Sequence, residues 1–462
     1  MTERAKPTAI IDVVGLSPAH LGDNMPFTKT WAQQRTVRPI TPVVPAVTTT
    51  AQTTYLTGKW PSDHGVVGNG WYFHDECEVK FWRQSNHLVQ SHKLWDIARE
   101  RDPNFTVANL FWWYAMYADV DYTVTPRPQY HSDGLKLPDV YTKPADLRDV
   151  LQQELGPFPL FKFWGPNTSI ASSRWIAESA KWVHKEKRPD LTLVYLPHLD
   201  YNLQRHGEDH GSVASDLTEI DEVLQMLVNY FEGEGVEVVL LSEYGITNVT
   251  TPIHLNRALR RAGLLKVREE SGWELLDAGA SDAFAVADHQ IAHVYVNDAS
   301  KREAVRTLLE AEPGVDKVLD EAGKQAHHLD HPRSGDLVVL AKPDSWFTYY
   351  YWLDDAKAPD FARTVDIHRK PGYDPVEMFV DPKLGFPMGK VAWTLLKKAM
   401  GFRYRMDVIP LDGSLIRGSH GLAGDDPDRG PLWIGKGFEA ADPICPVDIC
   451  DMLLATLFRK EN

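Results

Sequence analysis

Six short apolar runs, at 9–15, 105–113, 191–197, 236–245, 292–298 and 336–342, constrain this chain's fold more than any other feature. Each is apolar almost continuously rather than at alternate positions, the pattern of a strand covered on both faces, as in a parallel sheet. Between the runs the period changes. From Leu217 the apolar positions are Ile220, Val223, Leu224, Leu227, Val228 and Phe231, the 3.6-residue stripe of a helix that covers a sheet. Residues 92–102 and 173–186 each place a helical pattern before a strand, and 447–458 closes the chain with another. Strand–helix–strand repetition predicts a doubly wound α/β fold, a three-layer α/β/α sandwich with a mostly parallel central sheet. Two stretches break the rhythm. Residues 114–170 are rich in Pro, Tyr and Asp, and 344–410 in aromatics, Pro and Gly. Both read as cap insertions on a single domain spanning 1–462, with the aromatic run 346–352 expected at the entrance to a site.

Composition excludes several classes. A formal net charge of −15 argues against binding a nucleic-acid polymer, which needs clustered Lys and Arg to displace counterions. The three cysteines, Cys77, Cys445 and Cys450, form no Cys-x-x-Cys pair, so neither a disulfide framework nor a zinc knuckle is expected. No run is long enough for a membrane span. The chain enters its first strand too early for a secretory leader, which predicts a cytoplasmic protein.

In open α/β sheets the chemistry gathers beyond the C-terminal ends of the strands. Asp12 lies inside the first run, His198 and Asp200 follow the third, and Glu243 and Tyr244 follow the fourth. Metal-type ligands at three strand ends exceed what a structural sheet requires. The segment 42–69, PVVPAVTTTAQTTYLTGKWPSDHGVVGN, places Thr48 where a helix begins. A hydroxyl there is favourably set, because backbone N–H groups and the helix dipole attract an incoming phosphate. Taken alone Thr48 reads as a helix cap, and Thr49 and Thr50 compete with it. Asn69 alone reads as a turn residue between glycines.

Taken together these pieces resemble the alkaline phosphatase superfamily, in its type I phosphodiesterase/nucleotide pyrophosphatase branch. Pro45, Thr48, Thr57-Gly58, Pro61, His64-Gly65-Val66 and Asn69 match that branch's nucleophile segment. The resemblance implies Thr48 as nucleophile and Asn69 as a donor to a phosphoryl oxygen. It implies two divalent metal ions, expected as zinc. One ion would use Asp200, His206 and His420, the last in RGSHG at 417–421. The other would use Asp12, Thr48 and Glu243, with Tyr244. The family's spacing points to Gln204 for the second ligand of the first ion, and His206 is the nearest histidine. At 243–244 the family pattern Asp-His is Glu-Tyr here. That leaves three readings: an unusual metal such as Mn or Fe, a weakened second site, or a one-metal enzyme in which Tyr244 donates a hydrogen bond. His331, Asp366, His368 and Arg369 are candidates for orienting ligands or meeting substrate, as is Lys370. His198 and His210 are reserve ligands.

The implied activity is hydrolysis of a small-molecule phosphate ester through a phospho-Thr48 intermediate. A phosphomonoesterase or phosphonate hydrolase is the enzymatic alternative. A catalytically weak metal- or phosphate-binding relative is the alternative of another class. The oligomeric state is not legible in the sequence.

Overall fold

The computed structural model describes residues 4–132, 135–436 and 441–459. Its central sheet has eight strands: β1 (Thr8–Val13), β2 (Thr36–Pro39), β3 (Val107–Leu110), β4 (Tyr122–Pro126), β5 (Val140–Lys143), β6 (Leu191–Leu196), β7 (Glu237–Leu241) and an eighth at Leu432–Gly435. β1 lies centrally, parallel to both β6 and β7, with Asp12 in register with Tyr195 and Leu241. β6 pairs parallel with β3, and β3 with β4. The antiparallel pairs are at the margins, where Leu432–Gly435 joins β7 to β2 and β5 closes the other edge. β1 and β6 are buried at every position, as their continuous apolarity requires.

Helices cover both faces. On one are α1 (Thr48–Thr57), α2 (Leu94–Arg101) and a C-terminal helix at Ile449–Leu457. On the other are α3 (Ile170–Lys187), α4 (His198–His206) and α5 (Gly211–Gly233). The α5 stripe read from Leu217 is buried from Ile220 to Phe231. The mostly parallel α/β sandwich is therefore present as predicted.

Two readings change. The runs at 292–298 and 336–342 do form strands, β9 (Ile291–Val296) and β11 (Leu337–Ala341), but not in the parallel sheet. With β8 (Ala283–Asp288) and β10 (Val315–Leu319) they make a separate antiparallel sheet, ordered β8-β9-β11-β10. Continuous apolarity reports burial on two faces, and says nothing about strand direction. The aromatic run is the second correction. Trp346, Tyr349, Tyr350, Tyr351 and Trp352 are at most 1% exposed, so they fill a core rather than line an entrance. The stretch 114–170 also contributes β4 and β5 to the main sheet. From 344–410 projects α6 (Pro387–Ala399). The final strand of the main sheet, Leu432–Gly435, is β12. Among the described residues, no helix is long and apolar enough to cross a membrane.

Candidate active site

The site lies where the C-terminal ends of β1, β6 and β7 meet the β8–β9 turn. Val47 is extended (φ −134°, ψ 154°) and Thr48 opens α1, whose every residue is buried. The three consecutive threonines separate at once. Thr49 donates its hydroxyl to Gly68 O at 2.8 Å and Thr50 to Val66 O at 3.2 Å. Only Thr48 turns to the strand ends, its Oγ1 3.2 Å from the Tyr244 hydroxyl. It also lies beside the Glu243 carboxyl, whose charged form it stabilises. Asn69 is fixed beside it. Its Oδ1 accepts from Thr49 N at 3.1 Å, and its own N–H and amide donate to Asp288 at 2.8 and 3.2 Å.

Asp12 and Glu243 face one another as a buried pair. The Gln52 amide, one turn into α1, donates to Asp12 Oδ2 at 3.1 Å and to Glu243 Oε1 at 2.6 Å. Trp113 N–H holds the Gln52 carbonyl at 2.7 Å. The remaining oxygens, Asp12 Oδ1 and Glu243 Oε2, have no partner. Burial pushes Asp12 up to about 7. Burial and then the Asp12 charge push Glu243 well above the usual carboxylate range.

Asp200 sits in the first turn of α4. Its Oδ1 accepts from Tyr244 Oη at 3.3 Å and its Oδ2 from Gln204 Nε2 at 2.7 Å. Tyr373 Oη donates in turn to Gln204 Oε1 at 2.9 Å. Burial raises Asp200 to about 6. His420 Nδ1 is 2.7 Å from Ala46 O, which leaves Nε2 as the acceptor, 4.0 Å from Asp200 Oδ1 and without a hydrogen bond. The His420 ring is sandwiched: Tyr244 stacks on it at 3.6 Å and 6°, and His289 packs at 3.7 Å and 38°. Tyr373 then stacks on His289 at 3.6 Å. Burial holds both histidines well below the ordinary imidazole range.

The structure thus brings together Asp12, Thr48, Asn69, Asp200, Glu243, Tyr244 and His420. It does not bring in His206. α4 runs regularly to its end, so residue i+4 from Asp200 shares its face and residue i+6 points away. Gln204 occupies the place, and His206 is exposed, stacked on His210 at 4.4 Å. His198 turns to Asp216 and Glu219 instead. The four outer candidates are engaged elsewhere: His331 with Gln90, His368 with Phe81 O, Arg369 with Asp360, and the Asp366 N–H with Glu377. Lys370 is buried in ion pairs with Asp374 and Glu377 at 2.7 and 2.6 Å. Gln52, Asp288, His289 and Tyr373 were not foreseen. Asp288-His289 ends an apolar run, AFAVAD, that carried the signal.

Four carboxyls, those of Asp12, Asp200, Glu243 and Asp288, are therefore buried together. Among the described residues, none is hydrogen-bonded to Lys or Arg. Such a cluster requires protons or a cation. The unpartnered Asp12 Oδ1 and Glu243 Oε2 beside the Thr48 hydroxyl make an all-oxygen set, which fits one hard divalent cation. The donor set does not fit the expected zinc pair. Each half lacks a histidine, at Tyr244 and at Gln204, and Gln204 is committed to Asp200 and Tyr373. No residue of the Asp12–Thr48–Asn69–Asp200–Glu243–Tyr244–His420 cluster is more than 7% exposed. Trp113 and Tyr373 reach the cluster through Gln52 and Gln204, and Trp82 packs on both rings. Trp82 and Tyr114 hold positive φ, strained for bulky residues.

Comparison with known proteins identifies the family and the fold. The sequence model of the type I phosphodiesterase/nucleotide pyrophosphatase family matches residues 8–374. Ectonucleotide pyrophosphatase/phosphodiesterase 1 of Saccharomyces cerevisiae is 23% identical over 232 residues, covering 46% of this chain and 29% of that protein. Venom phosphodiesterase 2 of Crotalus adamanteus is 23% identical over 218 residues, covering 45% of this chain and 22% of that one. The matched part thus spans less than a third of the length of these curated relatives. Among solved structures, murine ectonucleotide pyrophosphatase/phosphodiesterase 5 superposes with a TM-score of 0.58 at 14% identity, covering 99% of this chain and 97% of that one. Phosphonoacetate hydrolase of Sinorhizobium meliloti, in complex with phosphonoformate, superposes at 0.61 and 15%, covering 99% and 100%. At these identities the likeness is one of fold.

Proposed function

The chain belongs to the type I phosphodiesterase/nucleotide pyrophosphatase family, and from that premise we propose that it hydrolyses small-molecule phosphate esters with Thr48 as nucleophile. The observation that carries this reading is the fate of the three threonines. Two are spent on backbone carbonyls, and the third presents its hydroxyl at a helix N-terminus between Tyr244 and Glu243.

A divalent cation held by Asp12, Glu243 and Thr48 would neutralise buried charge and acidify the Thr48 hydroxyl. The chain's own groups do the rest. Thr48 Oγ attacks phosphorus in line, its proton passing toward the carboxyl pair. The bond from phosphorus to the leaving oxygen breaks as the bond to Thr48 forms. Asn69 has a second amide N–H beyond the one given to Asp288, and a phosphoryl oxygen accepts it as charge develops. Tyr244 Oη gives its one proton to Asp200 and lies 3.2 Å from Thr48 Oγ1, so it would serve the phosphoryl group as a donor only on releasing that carboxyl. Water then attacks phosphorus and releases Thr48. Because the cluster is buried, side chains around it, with Trp82, Trp113 and Tyr373 as candidates, would shift for substrate to enter.

The test is turnover of bis- and mono-p-nitrophenyl phosphate by purified protein with Mn, Mg or Zn, beside Thr48→Ala. A rate unchanged by Thr48→Ala sinks the proposal, and the ratio of diester to monoester rates names the substrate class. A second reading, a ligand-binding relative without turnover, draws on Gln204 and Tyr244 at both histidine positions. Binding of a nucleoside monophosphate with no hydrolysis under any metal would favour it.

A further inference from the structure

Helix α6 shows its apolar side to water. Thr394 is its one buried residue. Val391 packs on the cluster formed by Val376, Val408, Ile409 and Ile416. Lys390 donates to Asp407 O at 2.7 Å. At 100° per residue these three share the side turned to the body. The opposite side carries Met388, Ala392, Leu395, Leu396, Ala399 and Met400, with Trp393 at its border. Phe386 precedes the helix and Phe402 follows it. The large apolar side chains of this set are between 48% and 75% exposed. A surface helix ordinarily shows the reverse arrangement, and a contiguous apolar patch of this kind marks an interaction surface.

Charge indicates the partner. The whole chain carries −15, yet residues 382–406 hold Lys383, Lys390, Lys397, Lys398, Arg403 and Arg405 with no Asp or Glu. Lys397 and Lys398 lie over the Trp393 and Tyr404 rings, each at 5.5 Å. An apolar face with Trp at its border and flanking basic residues is suited to the boundary of an anionic bilayer, rings at headgroup depth and ammonium groups at the phosphates. Lys390 and Arg405 pair with Asp407 at 3.1 and 3.7 Å, so a second copy would oppose the other four positive charges, Lys383, Lys397, Lys398 and Arg403, with the same four again. At 13 residues the helix is about 20 Å long, too short to span a bilayer. We propose that α6, with Phe386 and Phe402, docks the protein in the plane of an anionic lipid surface.

Flotation of the full chain with vesicles tests this, using phosphatidylcholine alone and phosphatidylcholine mixed with phosphatidylserine. Two double variants accompany it, Trp393→Ser/Leu396→Ser and Lys397→Glu/Lys398→Glu, with circular dichroism to confirm folding. Binding is expected only to the mixed vesicles, and it weakens as salt rises. Each lysine near such a surface contributes roughly a fivefold factor, so the charge reversal should lower affinity by about 25-fold or more. The apolar variant should abolish binding. Absence of flotation with anionic vesicles overturns the proposal, as does equal flotation of all three proteins. A dimer in light scattering that Trp393→Ser/Leu396→Ser dissolves, without vesicle binding, overturns it in favour of a second copy.

Discussion

Tyr244 lies face to face on His420, ring centroids 3.6 Å apart and planes within 6° of parallel. The contact joins the two halves of the carboxyl cluster. Tyr244 follows Glu243 at the end of β7, and its hydroxyl reaches both Thr48 and Asp200. Where the family pattern read from the sequence has a histidine, a ligand has become a bridge. The phenol cannot offer a neutral nitrogen, and burial holds its pKa well above the ordinary range, so it stays a donor.

Replacing Tyr244 separates ring from hydroxyl. Tyr244→Phe keeps the stack and loses the bridge. Its melting temperature should change little, corresponding to about 1 kcal/mol, while turnover falls on the order of tenfold or more. Tyr244→His restores a nitrogen ligand and should raise zinc content in metal analysis. Equal zinc content in the variant and the parent would show that the phenol is not what excludes zinc.

Gln52 provides the complementary test. Its neutral amide donates to both Asp12 and Glu243. Gln52→Glu replaces that donor with a third carboxyl in the same buried space, an arrangement that needs a cation. Thermal melts in chelator should fall well below those of the parent. Added Mn should raise the variant's melting temperature more than the parent's. A similar response in both proteins would mean that no cation enters between these carboxyls.

Much of the site was legible because its parts are local. Asp12, Glu243 and His420 sit on short segments that keep their meaning without the rest of the fold, and Thr48 is placed by the helix start after Val47. What failed depended on geometry at longer range. His206 looked like the missing ligand until α4 proved regular to its end, which gives the position to Gln204. Asp288 and His289 come from a sheet whose strands are as continuously apolar as the parallel ones, so their turn was not linked to the site. The outward apolar face of α6 is invisible in sequence, because the same residues in a buried helix would look alike.

Thr48→Ala should lower turnover by on the order of 10³-fold or more, since the nucleophile itself is lost. Thr48→Ser keeps the hydroxyl and should retain measurable activity. Acid quenching during turnover, followed by peptide mass spectrometry, should find phosphate on the peptide containing Thr48 in the parent and on none in Thr48→Ala. Phosphate on a peptide containing Thr49 or Thr50 but not Thr48 would reassign the nucleophile.

The buried carboxyls also set a pH dependence. Asp200 rises by burial from 3.8 to about 6, so below 3.8 it is protonated both folded and unfolded. Between those values the folded state holds a proton that the unfolded state releases, and stability falls as pH rises. About two pKa units correspond to about 3 kcal/mol. His289 and His420, kept neutral by burial, act in the opposite direction as pH falls below 6.5, which masks the trend in the parent alone. Asp200→Asn isolates it. In chelator, urea denaturation of parent and variant at pH 4.5, 6 and 8 (about the range over which the carboxyl titrates) should show the variant gaining on the parent as pH rises. With saturating Mn the gain should shrink only if a cation lies close enough to Asp200 to hold its carboxylate ionised. A stability difference that stays flat with pH in chelator would mean that Asp200 is not held protonated by its burial.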